Sequence, residues 1–526
     1  MRNFVHSTKL LRNFVLILFI SFVSISGCNN SSTTDANVVS RFPTLIMAPN
    51  PSTPLAGLLE LETSGLSRVS LTVSDGIDLW SNDFEEFNSN HSLPVLGFKP
   101  NRNHTVTVSV QGINGVDLIE PVVFDVITDP LPEEFPAISV TSIPELMEPG
   151  VTLFEASGYL IAVNEIGEVV WYHDIQFFAG TLDRDVRRMN NGNLLLLLAR
   201  GRIVELDMLG NVINMWHPTG SEEGDPGSIA VDTLAFHHEV SEMQSGNLLV
   251  LSVEFRRFSD YPTSAFDPFA PTESAIVAGD VIVEFAPDGT VVNEWSLLDV
   301  LDPYRINYSS LLGIYDGFLE SVVGRPVETI DWSHGNAVIH DPWDDSIIVS
   351  LRHQDAVVKF SRQTGELIWI LGPHENWDLE EFGQFLLTPQ SDEEFFFQYH
   401  QHAPDITDEG TYIIYDNGNN RASPFDPTLP DSENFSRAVE YSINPITKEV
   451  EILWEYGQFE DETLYTFFIG DADYQPMTGN VLITFGGTQP ARLIEVTRTT
   501  PAQKVFDLSL SENFTYRSER LPSLYP

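Results

Sequence analysis

At 526 residues the chain is long enough for more than one core, and 42% hydrophobic with 11% aromatic residues is the composition of a chain that folds. Its 76 acidic against 27 basic residues give a formal charge of -49, so a polyanion would be repelled over most of the surface, which argues against nucleic acid as a partner.

The N-terminus, "MRNFVHSTKLLRNFVLILFISFVSISGCNN", sets Arg2, Lys9 and Arg12 ahead of an apolar run of about 14 residues, too short to span a bilayer and shaped like an export signal. Ile25-Ser26-Gly27-Cys28 resembles a bacterial lipoprotein cleavage box. Residues 1–27 are therefore expected to be removed and Cys28 to carry a lipid anchor. Cys28 is the only cysteine, so no intramolecular disulfide can form. Asn29 after the cysteine points to the outer membrane, and the expected location is the periplasm. Residues 28–43, polar through "NNSSTTDANVVS", read as a tether.

From 44 to 130, short alternating runs such as "SRVSLTVSD" and "HTVTVSVQG" are separated by Gly, Pro and Asn clusters, which predicts a small β-sandwich. "ITDPLPEEFP" (127 to 136) is Pro-rich and acidic, the composition of a domain junction. Beyond it one unit recurs six times: a turn, two strands, a Gly or Asp turn and a third strand. Five units end in a tryptophan, Trp171, Trp216, Trp295, Trp369 and Trp454. Short strands with an aromatic at a fixed offset predict an all-β fold in which residues 136–526 form a six-bladed β-propeller, the tryptophans filling the wedge between neighbouring blades. An insertion at 256–279, rich in Phe, Tyr and Pro, reads as a surface loop or the wall of an aromatic pocket.

In "DWSHGNAVIHDPWDDSIIVSLRHQ" (331 to 354), the innermost strand of one blade begins where the second ends. That brings His334, Asn336 and Arg352 to one rim of the central channel. His238 of "FHHEVSEMQSGNLLVLS" and His402 of "YHQHAPDITDEGTYIIY" keep a similar offset in neighbouring blades, with His237 and His400 as alternatives. Adjacent residues of a strand face opposite ways, so "HHE" is a poor zinc pair and no metal is expected. Imidazoles, an amide and a guanidinium at one mouth suit an oxyanion instead.

The elements "HHE", "SHGN", "SLRHQ", "WILG" and "QHAP", in this order and behind an export signal and a small β-domain, resemble the bacterial arylsulfate sulfotransferases. The resemblance implies transfer of a sulfuryl group from a phenolic sulfate donor to a phenolic acceptor, with no nucleotide or other cofactor. It implies His402 as the nucleophile that becomes a sulfohistidine in a ping-pong cycle. His334, Asn336 and Arg352 would hold the sulfuryl oxygens and His238 would handle the phenolic proton. Membrane contact is expected only through Cys28, and a homodimer is left open. A non-catalytic envelope scaffold and an aryl sulfate hydrolase are the competing readings.

Overall fold

The computed structural model describes residues 37–175, 185–198, 201–220, 224–390, 395–457, 464–511 and 514–526. The expected signal peptide and Cys28 lie outside the described residues. Strands Val39–Met47, Gly57–Ser74, Leu79–Val95, Asn103–Gly112 and Val122–Ile127 make one five-stranded sheet. The 18-residue strand Gly57–Ser74 is its spine. Leu79–Val95 pairs along one edge, while Val39–Met47 and Asn103–Gly112 share the other. The spine alternates buried and half-buried residues, as expected of a strand with one face on a core. The first strand starts inside the stretch expected as tether, because Val39 already pairs with Thr63.

Among the described residues six further sheets follow, each of four or five strands. Their first strands are Asp185–Arg188, His237–Glu242, Gly335–Asp341, His402–Ile406, Asp471–Tyr474 and Ser518–Leu521. These lie against one another in cyclic order, and the ring closes where Ser518–Leu521 meets Val481–Phe485. The first and last strands of this ring also close it by exchange. Ile138–Ser142 pairs with Lys504–Leu510, whereas Ser518–Leu521, from the C-terminus, supplies the inner strand beside Val151–Ala156.

All five repeat tryptophans are buried. The indole N–H of Trp171 donates to Met208 O at 2.9 Å and that of Trp216 to Pro287 O at 2.9 Å, each in the following sheet. Trp369 meets Tyr412 of the following sheet edge to face at 5.4 Å. Trp369→Ala should therefore open a cavity between two sheets and cost about 3–5 kcal/mol in denaturant unfolding, whereas a loss under about 1 kcal/mol would contradict the wedge role.

The 256–279 insertion is a loop only at its tip, residues 262–272. Strands Leu248–Tyr261 and Glu273–Phe285 stay paired from Leu248 opposite Phe285 out to Tyr261 opposite Glu273, so the insertion is the hairpin running on past its sheet. It forms one wall of a cleft of about 930 Å³, opposite residues 311–330, and no histidine lines that cleft. The N-terminal sheet packs on the two sheets that exchange strands, through a shared core that includes Leu59, Leu71, Phe154 and Leu508. Lys99 and Arg102 reach across to Glu168 at 2.7 and 2.5 Å.

Candidate active site

Three successive inner strands carry the same irregularity at their start. The pairing register slips between His237 and Val240, between Gly335 and Ala337, and between His402 and Asp405. His238, His334 and Ala403 beside these slips have φ of 59°, 46° and 47°. A non-glycine residue at positive φ is uncommon and strained, and a bulge re-aims the side chains around it. The expectation that His237 and His238 face opposite ways is corrected here: their rings stand at 5.0 Å and 90°, with the two Nδ1 atoms 2.9 Å apart. His400 does not share a strand face with His402 either, because the strand begins at His402 and His400 precedes it at φ 54°.

His402 is buried, and its tautomer follows from its neighbour. Asn417 donates through Nδ2 to Thr466 O and Ile469 O, both at 2.9 Å. Its Oδ1 must then be the acceptor that faces His402 Nδ1 at 2.6 Å. The ring proton is on Nδ1 and Nε2 keeps its lone pair. Burial first, and then the Arg352 charge, hold the pKa of His402 well below the usual imidazole range. The side chain is a neutral base at physiological pH.

The same reasoning orders the histidine pair. His237 Nε2 lies 3.1 Å from Ser252 O, which only accepts, and 3.2 Å from Asp280 Oδ1. With His237 neutral, its Nδ1 accepts from His238 Nδ1–H, which leaves the lone pair of His238 on Nε2. His237 stands behind and His238 in front, 4.9 Å from the His334 ring. Burial and the surrounding histidines keep His238 far below the usual pKa. Asp280 also accepts from Gly335 N at 2.6 Å and Ser333 Oγ at 2.5 Å. A Cβ at Gly335 would come within 2.9 Å of the Asp280 carboxyl carbon, so only glycine lets this carboxylate tie the two bulges together.

His334 directs Nδ1 at Asp331 Oδ2, 2.5 Å away, and stacks on His353 at 4.4 Å and 22°. His353 is fully buried, donates from Nδ1 to Asp331 O at 2.7 Å, and is pushed far below the usual pKa chiefly by burial. Asp331, His334 and His353 bring three donor atoms within 4.8 Å of one another. Both Nδ1 atoms are already engaged with Asp331, which makes the trio a hydrogen-bonded brace for His334. Arg352 follows in a 3-10 turn, donates from Nη2 to Phe467 O at 3.1 Å and lies 5.5 Å from the Phe467 ring centre. Burial pushes it down to about 10, against the pull of Asp355 and Asp331, so it stays charged at neutral pH. Asn336 is completely buried and gives one N–H to Gln401 O at 2.7 Å, which anchors the residue before His402.

His238, His334, Arg352 and His402 thus gather at one mouth of the ring, each within the electrostatic reach of another. Sequence reasoning missed the groups that orient them. Asn417 sits in "DNGNN", which reads as a turn; Asp331 and His353 lie at the two ends of the stretch 331–354, without a partner visible in sequence. Arg517, near the chain end, pairs with Glu239 and donates to Asn336 O at 2.9 Å beneath the cage. One layer along the inner strands, Asp185, Asp405, Asp471 and Asp473 have pKa values raised by burial, Asp471 to about 6. The cationic mouth therefore gives way to an acidic floor.

This arrangement has relatives. The chain is similar to the arylsulfate sulfotransferase AssT of Escherichia coli O6:H1, 28% identical over 385 residues, which is 64% of this chain and 59% of that protein. It is also similar to AssT of Lelliottia amnigena, 30% identical over 258 residues, or 42% of this chain and 41% of that protein. The match thus spans about half the length of these curated relatives. Among solved structures, a β-propeller domain of Cps50 (Swd1) from Myceliophteria thermophila is 9% identical, covers 73% of this chain and 91% of its own, and has a TM-score of 0.30, too low to carry an argument. The family pattern described as "Arylsulfotransferase Ig-like domain" matches residues 44–126, and the pattern described as "Arylsulfotransferase (ASST)" matches residues 138–517. With most of its length matched, and with the histidine mouth inside the matched region, the chain belongs to the arylsulfotransferase family.

Proposed function

We propose that this protein moves a sulfuryl group from an aryl sulfate to a phenol, with His402 as the covalent carrier. The observation that carries the reading is the bare Nε2 of a neutral imidazole, fixed by Asn417 and facing a mouth that holds a buried guanidinium. Neutral imidazole is a competent nucleophile, and capture on nitrogen divides one displacement into two. Nε2 attacks sulfur, the S–O bond to the aryl group breaks, and the phenolate leaves with the bonding pair as an anion that takes its proton from solvent. A second phenol then loses its proton and takes the group from sulfohistidine. His238, with its lone pair at the front of the mouth, is the base that takes this proton. Arg352 and His334 hold the equatorial oxygens, and the second N–H of Asn336 is at hand for one of them. Alignment and charge stabilisation are the main tasks for a loose transition state.

The aromatic rings at the mouth fit an aryl donor. Phe467 is exposed beside Arg352, and the Tyr315 ring is 6.1 Å from that of His237. The six sheets, closed by exchange of the first and last strands of the ring, are read as the six blades of a propeller. The chain is proposed to act in the periplasm, held to the outer membrane by a lipid on Cys28. Incubation with p-nitrophenyl sulfate separates the readings. Nitrophenol release that depends on added phenol supports transfer, release without phenol means hydrolysis, and no release in either case favours a scaffold.

A further inference from the structure

Three residues beside the histidine mouth have no part in the sulfuryl transfer. Ser309 comes from the excursion between the sheet of His238 and that of His334, Asp355 follows the Arg352 turn, and His400 precedes the strand of His402. Ser309 Oγ lies 2.8 Å from His400 Nε2. Asp355 Oδ1 lies 2.9 Å from His400 Nδ1 and accepts the His400 backbone N–H at 2.6 Å, while its Oδ2 accepts from Asn307. Oδ1 stands off the line of the Nδ1–H bond, so it fixes the tautomer by charge more than by a linear hydrogen bond.

The three groups are graded in depth. Asp355 and His400 are buried, and Ser309 is half-buried. Both His400 and Asp355 hold their backbones at positive φ, 54° and 47°, strain that the surrounding contacts sustain. Burial is the main cause that lowers the pKa of His400, with Asp355 opposing it. A neutral ring with its proton toward Asp355 presents a lone pair to the serine hydroxyl. That is the order of an activated nucleophile, a base and an orienting carboxylate, the serine and base joined by a hydrogen bond and the carboxylate acting on the base by charge.

The geometry assigns to Ser309, His400 and Asp355 a second nucleophilic centre, one that takes the acyl group of an aryl carboxylic ester. The class of substrate follows from the neighbourhood and rests on the aryl reading of the adjoining mouth. The His400 ring is 6.5 Å from that of His353, which stacks on His334, so the new centre lies beside the aryl site. The Arg352 charge acts on both His400 and Asp355, so the new centre lies in the field of a cation, which favours a developing oxyanion. In the step proposed, Ser309 Oγ attacks the ester carbonyl carbon as its proton passes to His400 Nε2. The tetrahedral adduct collapses, the C–O bond to the aryl group breaks, and His400 returns the proton to the departing phenolate. Water then repeats the sequence on the acyl-serine, giving the carboxylic acid and free Ser309.

The test uses the full chain with p-nitrophenyl acetate, and separately with a fluorophosphonate followed by peptide mass spectrometry. Saturable nitrophenolate release is expected, falling about 100-fold in Ser309→Ala while sulfuryl transfer stays within about threefold of wild type. His402→Asn should show the converse, which keeps failure of this proposal distinct from failure of the sulfotransferase reading. The fluorophosphonate should modify Ser309 in the unaltered chain, a measurement that needs no variant to fold. An absence of that adduct, or ester hydrolysis undiminished in Ser309→Ala, overturns the proposal. Loss of both activities in a folded Ser309→Ala also overturns it, since Ser309 would then belong to the sulfuryl site.

Discussion

His402→Asn should reduce phenol-dependent transfer by at least about 1,000-fold while leaving the circular dichroism spectrum and the unfolding midpoint close to wild type. The amide keeps a polar group opposite Asn417 but has no nitrogen lone pair with which to attack sulfur. Rapid mixing of wild type with donor alone should show a burst of one phenol per chain; the variant should show none. Turnover retained in the variant would refute the assignment. The pH profile carries a related expectation. Because burial and Arg352 lower the pKa of His402, the neutral form persists as pH falls through the ordinary imidazole value of about 6.5. The nucleophile is lost only below its depressed value. An acidic limb centred near 6.5 would therefore have to arise from another group.

The second large effect is expected at Arg352. Arg352→Gln should lower kcat/KM for an aryl sulfate by about 100- to 1,000-fold, because a fixed charge aimed at the sulfuryl oxygens matters most as negative charge shifts onto them. Arg352→Lys should recover less than about a tenth of the loss, since an ammonium cannot reproduce the planar fork. The substitution also removes one of two donors to Phe467 O, but that carbonyl keeps the Asn419 N–H at 2.8 Å, so stability should fall by no more than about 1 kcal/mol. Unfolding of both variants should be measured alongside the kinetics. If Lys restores full activity, Arg352 supplies charge alone; if Gln is as active as wild type, it does not hold the substrate.

Much of the scaffold is readable from residue order. Runs such as Leu194–Leu198 and Ser346–Leu351 are buried at every residue, and as short apolar strands between turns they are visible without coordinates. The tryptophans are legible for the same reason: a large ring recurring before each turn needs a wedge to fill. The insertion reads as a loop and folds as a hairpin, because Phe, Pro and Tyr obscure the alternation, and the partner strand lies on the other side of its own turn.

The side-chain cage is legible in membership and illegible in orientation. His238, His334, Arg352 and His402 occupy repeated offsets, so their approach to one rim follows from blade geometry alone. Their faces do not, because strand alternation is broken by bulges at His238, Gly335 and Ala403, and a bulge depends on contacts between neighbouring sheets. Nor do the tautomers. The Asn417 that fixes His402 is itself fixed by Thr466, 49 residues away on the approach to the next sheet.

The amino-acid order by itself determined that this chain builds repeated small sheets, sends histidines to the start of their inner strands and sets an arginine at the end of a second strand beside them, since these depend on short-range periodicity. Only the folded chain decided which nitrogen of each ring is bare, how His237 supports His238, and that strands starting near 138 and 518 exchange to close the ring. Those features rest on hydrogen bonds between residues far apart in sequence, whose partners are chosen by packing rather than by local pattern.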